Sequence, residues 1–127
     1  MQLAQHRYSA EGDARVRRLL LKRAEELVRE IDMPEAERHY LRGSIRSLKE
    51  MYSEAIEDYS RAVTLQPDEV GWRYEFAMLL RRQGCLEEAR TQAKWCARLA
   101  PRQEKYRKLL QEINQAQLVK QGRPKNG

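Results

Sequence analysis

The feature that most constrains this chain is a repeat. Residues 36–67, AERHYLRGSIRSLKEMYSEAIEDYSRAVTLQP, read as two short amphipathic helices joined by a tight turn, and much of the stretch returns 34 residues later. Tyr40 returns as Tyr74, Glu54-Ala55 as Glu88-Ala89, Leu65 as Leu99 and Pro67 as Pro101. A fixed period of about this length with helical patterning marks a helix-turn-helix solenoid, in which each unit buries its apolar face only against its neighbours. The expectation is an all-α chain of about six helices, and 127 residues are one domain's worth.

Local signals divide the chain further. Residues 1–11 are polar and unpatterned and read as a flexible lead-in. Over 12–32, Val16, Leu19, Leu20, Ala24, Leu27, Val28 and Ile31 recur at helical spacing. The opposite face mixes Arg17, Arg18, Lys22 and Arg23 with Glu25, Glu26 and Glu30. A basic helix can lie on a membrane or meet an acidic partner, but the interspersed glutamates favour a solvated face over a core stripe. Pro34 opens a helix over 34–48. Lys49-Glu50-Met51 form a turn, and Ser53 stands as N-cap of a helix reaching 65. Gln66-Pro67-Asp68 ends that unit, with Asp68 placed to cap the next helix, over 69–82. Gly84 supplies a left-handed turn before a helix over 86–99. After Pro101, a helix over 102–118 carries Tyr106, Leu109, Leu110, Ile113 and Ala116, and residues 119–127 read as a disordered basic tail.

Composition removes several function classes. Apolar residues make up 41% of the chain, enough for a modest core, while 35% charged residues demand solvated helix faces. No apolar run is long enough to span a bilayer, and the N-terminus lacks a signal-peptide core, so a cytoplasmic location is expected. Cys85 and Cys96 lack the spacing of a zinc site or redox pair and read as free thiols. The histidines, His6 and His39, stand in no spacing that suggests a metal site or a nucleophile–base pair, and Gly71 and Gly84 are isolated rather than part of a phosphate loop. Catalytic, cofactor and metal sites are therefore not expected. Trp95 reads as covered by the C-terminal helix; exposed beside Trp72, it would instead form a contact patch. Of the formal net charge of +6, the last 26 residues carry +5, so the repeats are near neutral.

The pattern resembles the tetratricopeptide repeat, whose signature is W-x2-L-G-x2-Y, then A-x3-F, then P. The first unit holds His39, Arg42, Gly43 and Arg46, then Ala55 and Tyr59, then Pro67 at those places. The second holds Arg73, Phe76, Ala77 and Leu80, then Ala89 and Ala93, then Pro101. In the first unit His39, Arg42 and Arg46 replace apolar residues, so Leu41, Ile45 and Leu48 form the apolar stripe there. That helix is then rotated or packs differently, with Arg42 and Arg46 in reach of the glutamates of the N-terminal helix.

The resemblance implies a short right-handed α-solenoid: an N-terminal helix over 13–32, repeats over 36–69 and 70–103, and a capping helix over 102–118. It further implies a noncatalytic scaffold that holds a peptide or partner protein in a concave groove. Carried over by position, that groove is Glu37, Tyr40, Ser44, Ser47 and Leu48 with Tyr74, Met78, Arg81 and Arg82. The competing reading makes Tyr40 and Tyr74 ordinary inter-helix packing and Arg81 and Arg82 solvated charges. The clamp with which some relatives grip acidic chaperone tails is absent, since Tyr40, Ser44 and Glu75 stand where its Lys and Asn residues would be. The alternative partner is a nucleic acid, met by Arg102, Lys105, Arg107, Lys108, Lys120, Arg123 and Lys125 around Tyr106. Self-association through an exposed helix face is also open, because about three repeats are usually needed for a self-sufficient core.

Overall fold

The computed structural model describes residues 10–122 as six helices. They are α1 (Ala10–Glu30), α2 (Glu35–Leu48), α3 (Tyr52–Leu65), α4 (Val70–Arg82), α5 (Leu86–Leu99) and α6 (Glu104–Lys120). Among the described residues there are no strands, and the chain is all-α. Each helix packs on its sequence neighbours, α2 on α3 and α4 on α5 most extensively. The core runs along these seams through Ala55, Tyr59, Val63, Phe76, Ala77, Leu79, Leu80, Ala89, Ala93, Leu109 and Ile113.

Small residues at a 34-residue interval let the pairs close. Ala55 and Ala89 are fully buried, as are Ala62 and Cys96. Gly43 and Ala77 occupy the matching place on α2 and α4. A β-carbon on Gly43 would sit 3.2 Å from the Asp58 Cβ and 3.3 Å from the Ala55 carbonyl oxygen. Both are fixed parts of α3, so the α2–α3 approach requires glycine.

The turns repeat as well. Met51 N–H donates to the Arg46 carbonyl at 2.8 Å, and Cys85 N–H to the Leu80 carbonyl at 2.9 Å. Such closure puts the preceding residue in the left-handed region. Gly84 takes it at φ 80°, and Glu50 takes it at φ 63° without glycine's freedom.

Several local expectations are corrected. Ser53 lies inside α3, whose N-cap is Met51, and Asp68 is not the cap of α4, whose N-cap is Glu69 with no side-chain hydrogen bond. Ala10 and Glu11 are helical rather than part of a flexible lead-in, and Val119 and Lys120 extend α6. The rest of the expected lead-in and tail, residues 1–9 and 123–127, lies outside the described residues. The largest correction concerns α1: of its apolar stripe only Val28 is buried, while Val16, Leu19, Leu20, Leu27 and Ile31 face solvent. On α2, Ile45 is buried but Leu41 and Leu48 are exposed.

A non-glycine residue in the left-handed region costs on the order of 1 kcal/mol. Glu50→Gly is therefore expected to raise stability by up to about 1 kcal/mol, and Gly84→Ala to lower it by about the same amount. Urea unfolding followed by circular dichroism measures both, and a destabilised Glu50→Gly would contradict the strain at that turn.

Candidate functional site

Two polar assemblies and one groove stand out. The first assembly is centred on Asp58, which is 1% exposed on α3. Its Oδ1 accepts from Arg42 Nε at 3.1 Å and Nη2 at 2.9 Å, and its Oδ2 accepts from Arg46 Nη1 at 2.7 Å. His39 Nδ1 lies 3.2 Å from Oδ1 and 3.0 Å from Arg42 Nη2. A protonated Nδ1 therefore serves the carboxylate, and a bare one accepts from the guanidinium. Burial alone would raise the Asp58 carboxyl, but the Arg42 and His39 hydrogen bonds and the two arginine charges overcome it and hold it below the usual range.

The three residues that break the repeat pattern thus share one partner. Arg42 and Arg46 turn to α3, not to the glutamates of α1, which corrects the expectation. Glu25 of α1 instead accepts from Lys49 Nζ at 2.5 Å. Arg38 holds α1 and α2 together: it donates to the Val28 carbonyl, to the Ile31 carbonyl at 3.1 Å and to Glu35. The last carbonyls of α1 thereby gain donors.

In the second pair, Arg73 and Gln92 hold the places of His39 and Asp58. Arg73 Nη1 donates to Gln92 Oε1 at 2.8 Å and Nε to the Pro67 carbonyl at 2.8 Å. Its guanidinium also lies 4.1 Å from the centre of the Trp95 ring, with Arg98 at 5.0 Å. Trp95 is half-buried by these arginines. Trp72 instead stacks on Tyr40, with ring centres 4.8 Å apart and planes 11° apart. Arg107, 34 residues beyond Arg73, likewise donates to a proline carbonyl, that of Pro101.

The groove runs between α2 and α4. A cavity of about 270 Å³ is lined by Ser44, Ser47, Leu48, Tyr59, Glu75, Met78, Leu79 and Arg82. It unites five of the sequence-derived groove residues: Ser44, Ser47, Leu48, Met78 and Arg82. The remaining four lie elsewhere. Glu37 is exposed on α2. Tyr40 stacks on Trp72 and donates to Glu75; burial first and this hydrogen bond second push its phenol up to about 12. Tyr74 packs edge-on against Tyr106, 5.4 Å between centres, and Arg81 pairs with Glu112 at 3.4 Å, so both turn to α6. Sequence reasoning missed Tyr59, Glu75 and Leu79 as lining. Tyr59 and Leu79 lie at the floor as core residues, and the Tyr59 hydroxyl lies 3.1 Å from that of Ser44.

Solved structures decide the fold type. The chain is similar to PcrH in complex with the chaperone binding region of PopB, at TM-score 0.57 and 17% identity, covering 84% of this chain and 94% of that one. It is also similar to PcrH in complex with the chaperone binding region of PopD, at TM-score 0.57 and 17% identity, covering 91% and 90%. The fold is tetratricopeptide-like. No family model matches the chain, and no curated protein matches it.

The described cations of the basic C-terminal end are exposed, and three of them make contacts within the fold. Lys105 sits 5.2 Å from the centres of both the Tyr74 and Tyr106 rings, Arg107 holds the Pro101 carbonyl, and Lys120 donates to the Gly84 carbonyl at 3.3 Å. Arg123 and Lys125 lie outside the described residues. Cys85 and Cys96 are both free; Cys96 is buried, and burial pushes its thiol up to about 11. Among the described residues no His, Cys, Asp and Glu cluster could hold a metal ion, and no helix is long and apolar enough to cross a membrane.

Removing the Asp58 charge leaves Arg42 and Arg46 facing each other, although both retain some access to water. Asp58→Asn is expected to cost about 2 kcal/mol. Because the folded carboxyl is held low, its contribution is complete above the unfolded value of about 3.9 and fades as pH falls through the folded one. The stability gap between wild type and Asp58→Asn, measured by urea unfolding, should be present at pH 7 and narrow below about pH 4. A constant gap would contradict the assignment.

Proposed function

We propose that this protein is a noncatalytic scaffold that holds a segment of another protein in the α2–α4 groove. The observation that carries the reading is the composition of that groove. Leu48 is an exposed aliphatic side chain beside Met78 and Leu79, while Ser44, Ser47, Glu75 and Arg82 supply polar groups around them. A cavity of this size accepts one or two apolar side chains, and the surrounding polar groups orient the backbone that presents them. Arg82 has the fork geometry to take a carboxylate, and Glu75 places negative charge on the same wall, so the fitting segment has an apolar anchor with an acidic neighbour toward Arg82.

The likeness to PcrH supports the reading at the level of fold. Those structures are complexes with the chaperone binding regions of PopB and PopD. A helical repeat that can bind a protein segment in those cases is a suitable frame for doing so here. Met78 adds an unbranched, adaptable surface that suits more than one anchor shape. The comparisons lend the nucleic-acid reading no support.

The test is affinity capture with wild type and with Leu48→Asp/Met78→Asp, an exposed position and a half-buried one at the edge of the core, with helicity checked by circular dichroism. A segment captured by the wild type should bind the variant at least tenfold more weakly, the loss expected for an apolar anchor facing a charge. Equal binding, with helicity of the variant unchanged, would remove the groove from the mechanism. Arg82→Glu should weaken segments with an acid next to the anchor and spare those without one.

A further inference from the structure

The exposed stripe on α1 has no partner among the described residues. Val16 is 51% exposed, Leu19 62%, Leu20 66%, Leu27 36% and Ile31 50%, whereas Val28, on the side turned to α2, is buried. At 3.6 residues per turn Val16, Leu20, Leu27 and Ile31 fall within roughly 60° of arc along about 22 Å of helix. Single exposed leucines are ordinary; a continuous aliphatic line on one helix is not.

The line has an internal symmetry. Its four members lie at equal distances either side of the bond between Arg23 and Ala24, so an antiparallel copy sets Val16 against Ile31 and Leu20 against Leu27. On a helical wheel the flank of the line away from Val28 carries Arg15 and Arg23 in the N-terminal half, and Glu26 and Glu30 in the C-terminal half. All four lie at or near the surface; Arg23 and Glu26 pair at 3.0 Å within the helix near its midpoint, and Arg15 and Glu30 carry the charge toward the two ends. An antiparallel partner brings the basic half of each flank against the acidic half of the other. A parallel partner instead turns its Val28 side toward this flank, so the basic and acidic halves do not meet. We propose that the occupant of this face is a second copy of the chain, joined through α1 and α1 in an antiparallel, two-fold symmetric pair. Such a contact is isologous, each residue meeting its counterpart's partner twice, and it closes at two copies. One helix face is smaller than the roughly 800 Å² per partner of standard stable interfaces, so the dimer is expected to be weak, with a dissociation constant in the micromolar range. The groove between α2 and α4 lies outside the contact, and dimerisation presents two grooves per particle.

Sedimentation equilibrium of the full chain at about 5 to 500 µM tests this. A concentration-dependent monomer–dimer equilibrium is expected, and Leu20→Glu/Leu27→Glu should weaken it at least tenfold with helicity retained. The charge pattern gives a second arm that leaves the apolar line untouched. Arg15→Glu/Arg23→Glu makes the flank all acidic, and Glu26→Arg/Glu30→Arg makes it all basic. Each should be monomeric alone, and an equimolar mixture should form a heterodimer. A wild type that stays monomeric throughout, or a dimer indifferent to the leucine pair, would overturn the proposal. Charge variants that dimerise alone as well as mixed would overturn the antiparallel arrangement.

Discussion

The buried carboxylate of Asp58 sets how the first helix pair meets. The Asp58 side chain passes Gly43 of α2, where a β-carbon would press within 3.2 Å of the Asp58 Cβ. Three side chains spaced along α2 converge on it: His39, Arg42 and Arg46. Together they span about two turns of helix, so a slide or rotation of α2 would break contacts at both carboxylate oxygens. Ion pairs of this kind add little net stability over an apolar filling of equal volume, because two charges must be desolvated to make them. Their contribution here is geometric: they fix the register of α2 against α3, and with it the direction in which Ser44, Ser47 and Leu48 point.

The second pair reaches the same arrangement by other means. Phe76 and Leu80 stand where Arg42 and Arg46 stand in the first, and both are buried. Gln92 replaces Asp58 and is met by Arg73, whose remaining donors secure the Pro67 carbonyl. One repeat is therefore closed by charge and the other by aliphatic and aromatic packing, on the same backbone plan. The groove forms between these two kinds of unit. Its α2 wall is held by the Asp58 assembly and its α4 wall by the core beneath Leu79, while Tyr40 joins them through Trp72 and Glu75.

Most of the architecture was legible in the sequence because repetition carries it. The 34-residue interval, the prolines, Gly84 and the small residues at Ala55, Ala62, Ala89 and Cys96 are local or periodic signals, and the helices fall close to where they place them. Three features were illegible for identifiable reasons. Ser53 and Asp68 have capping chemistry, but α3 is capped two residues before Ser53, at Met51, and α4 one residue after Asp68, at Glu69. The partner of Arg42 and Arg46 is Asp58, 16 and 12 residues distant, and a helical stripe cannot say which of two neighbouring helices a long side chain will choose. Periodicity on α1 revealed an apolar line but not that it would stay exposed among the described residues. The groove was half legible: a repeat position marks which face a residue occupies, but not that Tyr74 and Arg81 would be drawn aside by Tyr106 and Glu112 of α6.

That diversion explains why the groove is short. In a solenoid each inter-helix valley on the inner face is a potential binding surface, and the valley between α4 and α6 has the same ancestry as the one between α2 and α4. The α4–α6 valley is filled by its own aromatic and ionic contacts: Tyr74 on Tyr106, Lys105 over both rings, and Arg81 with Glu112. The α2–α4 valley has its aromatic contact, Tyr40 on Trp72, toward one end only, because Tyr40 stands about two turns from Leu48 on the same helix. Past Ser44 no aromatic side chain of α4 lines the valley, and a cavity remains beside Met78 and Arg82. Under the proposed function, selectivity for a segment would rest on a few residues at one end of one valley, and the α2 members of that set are the ones whose direction the Asp58 assembly fixes.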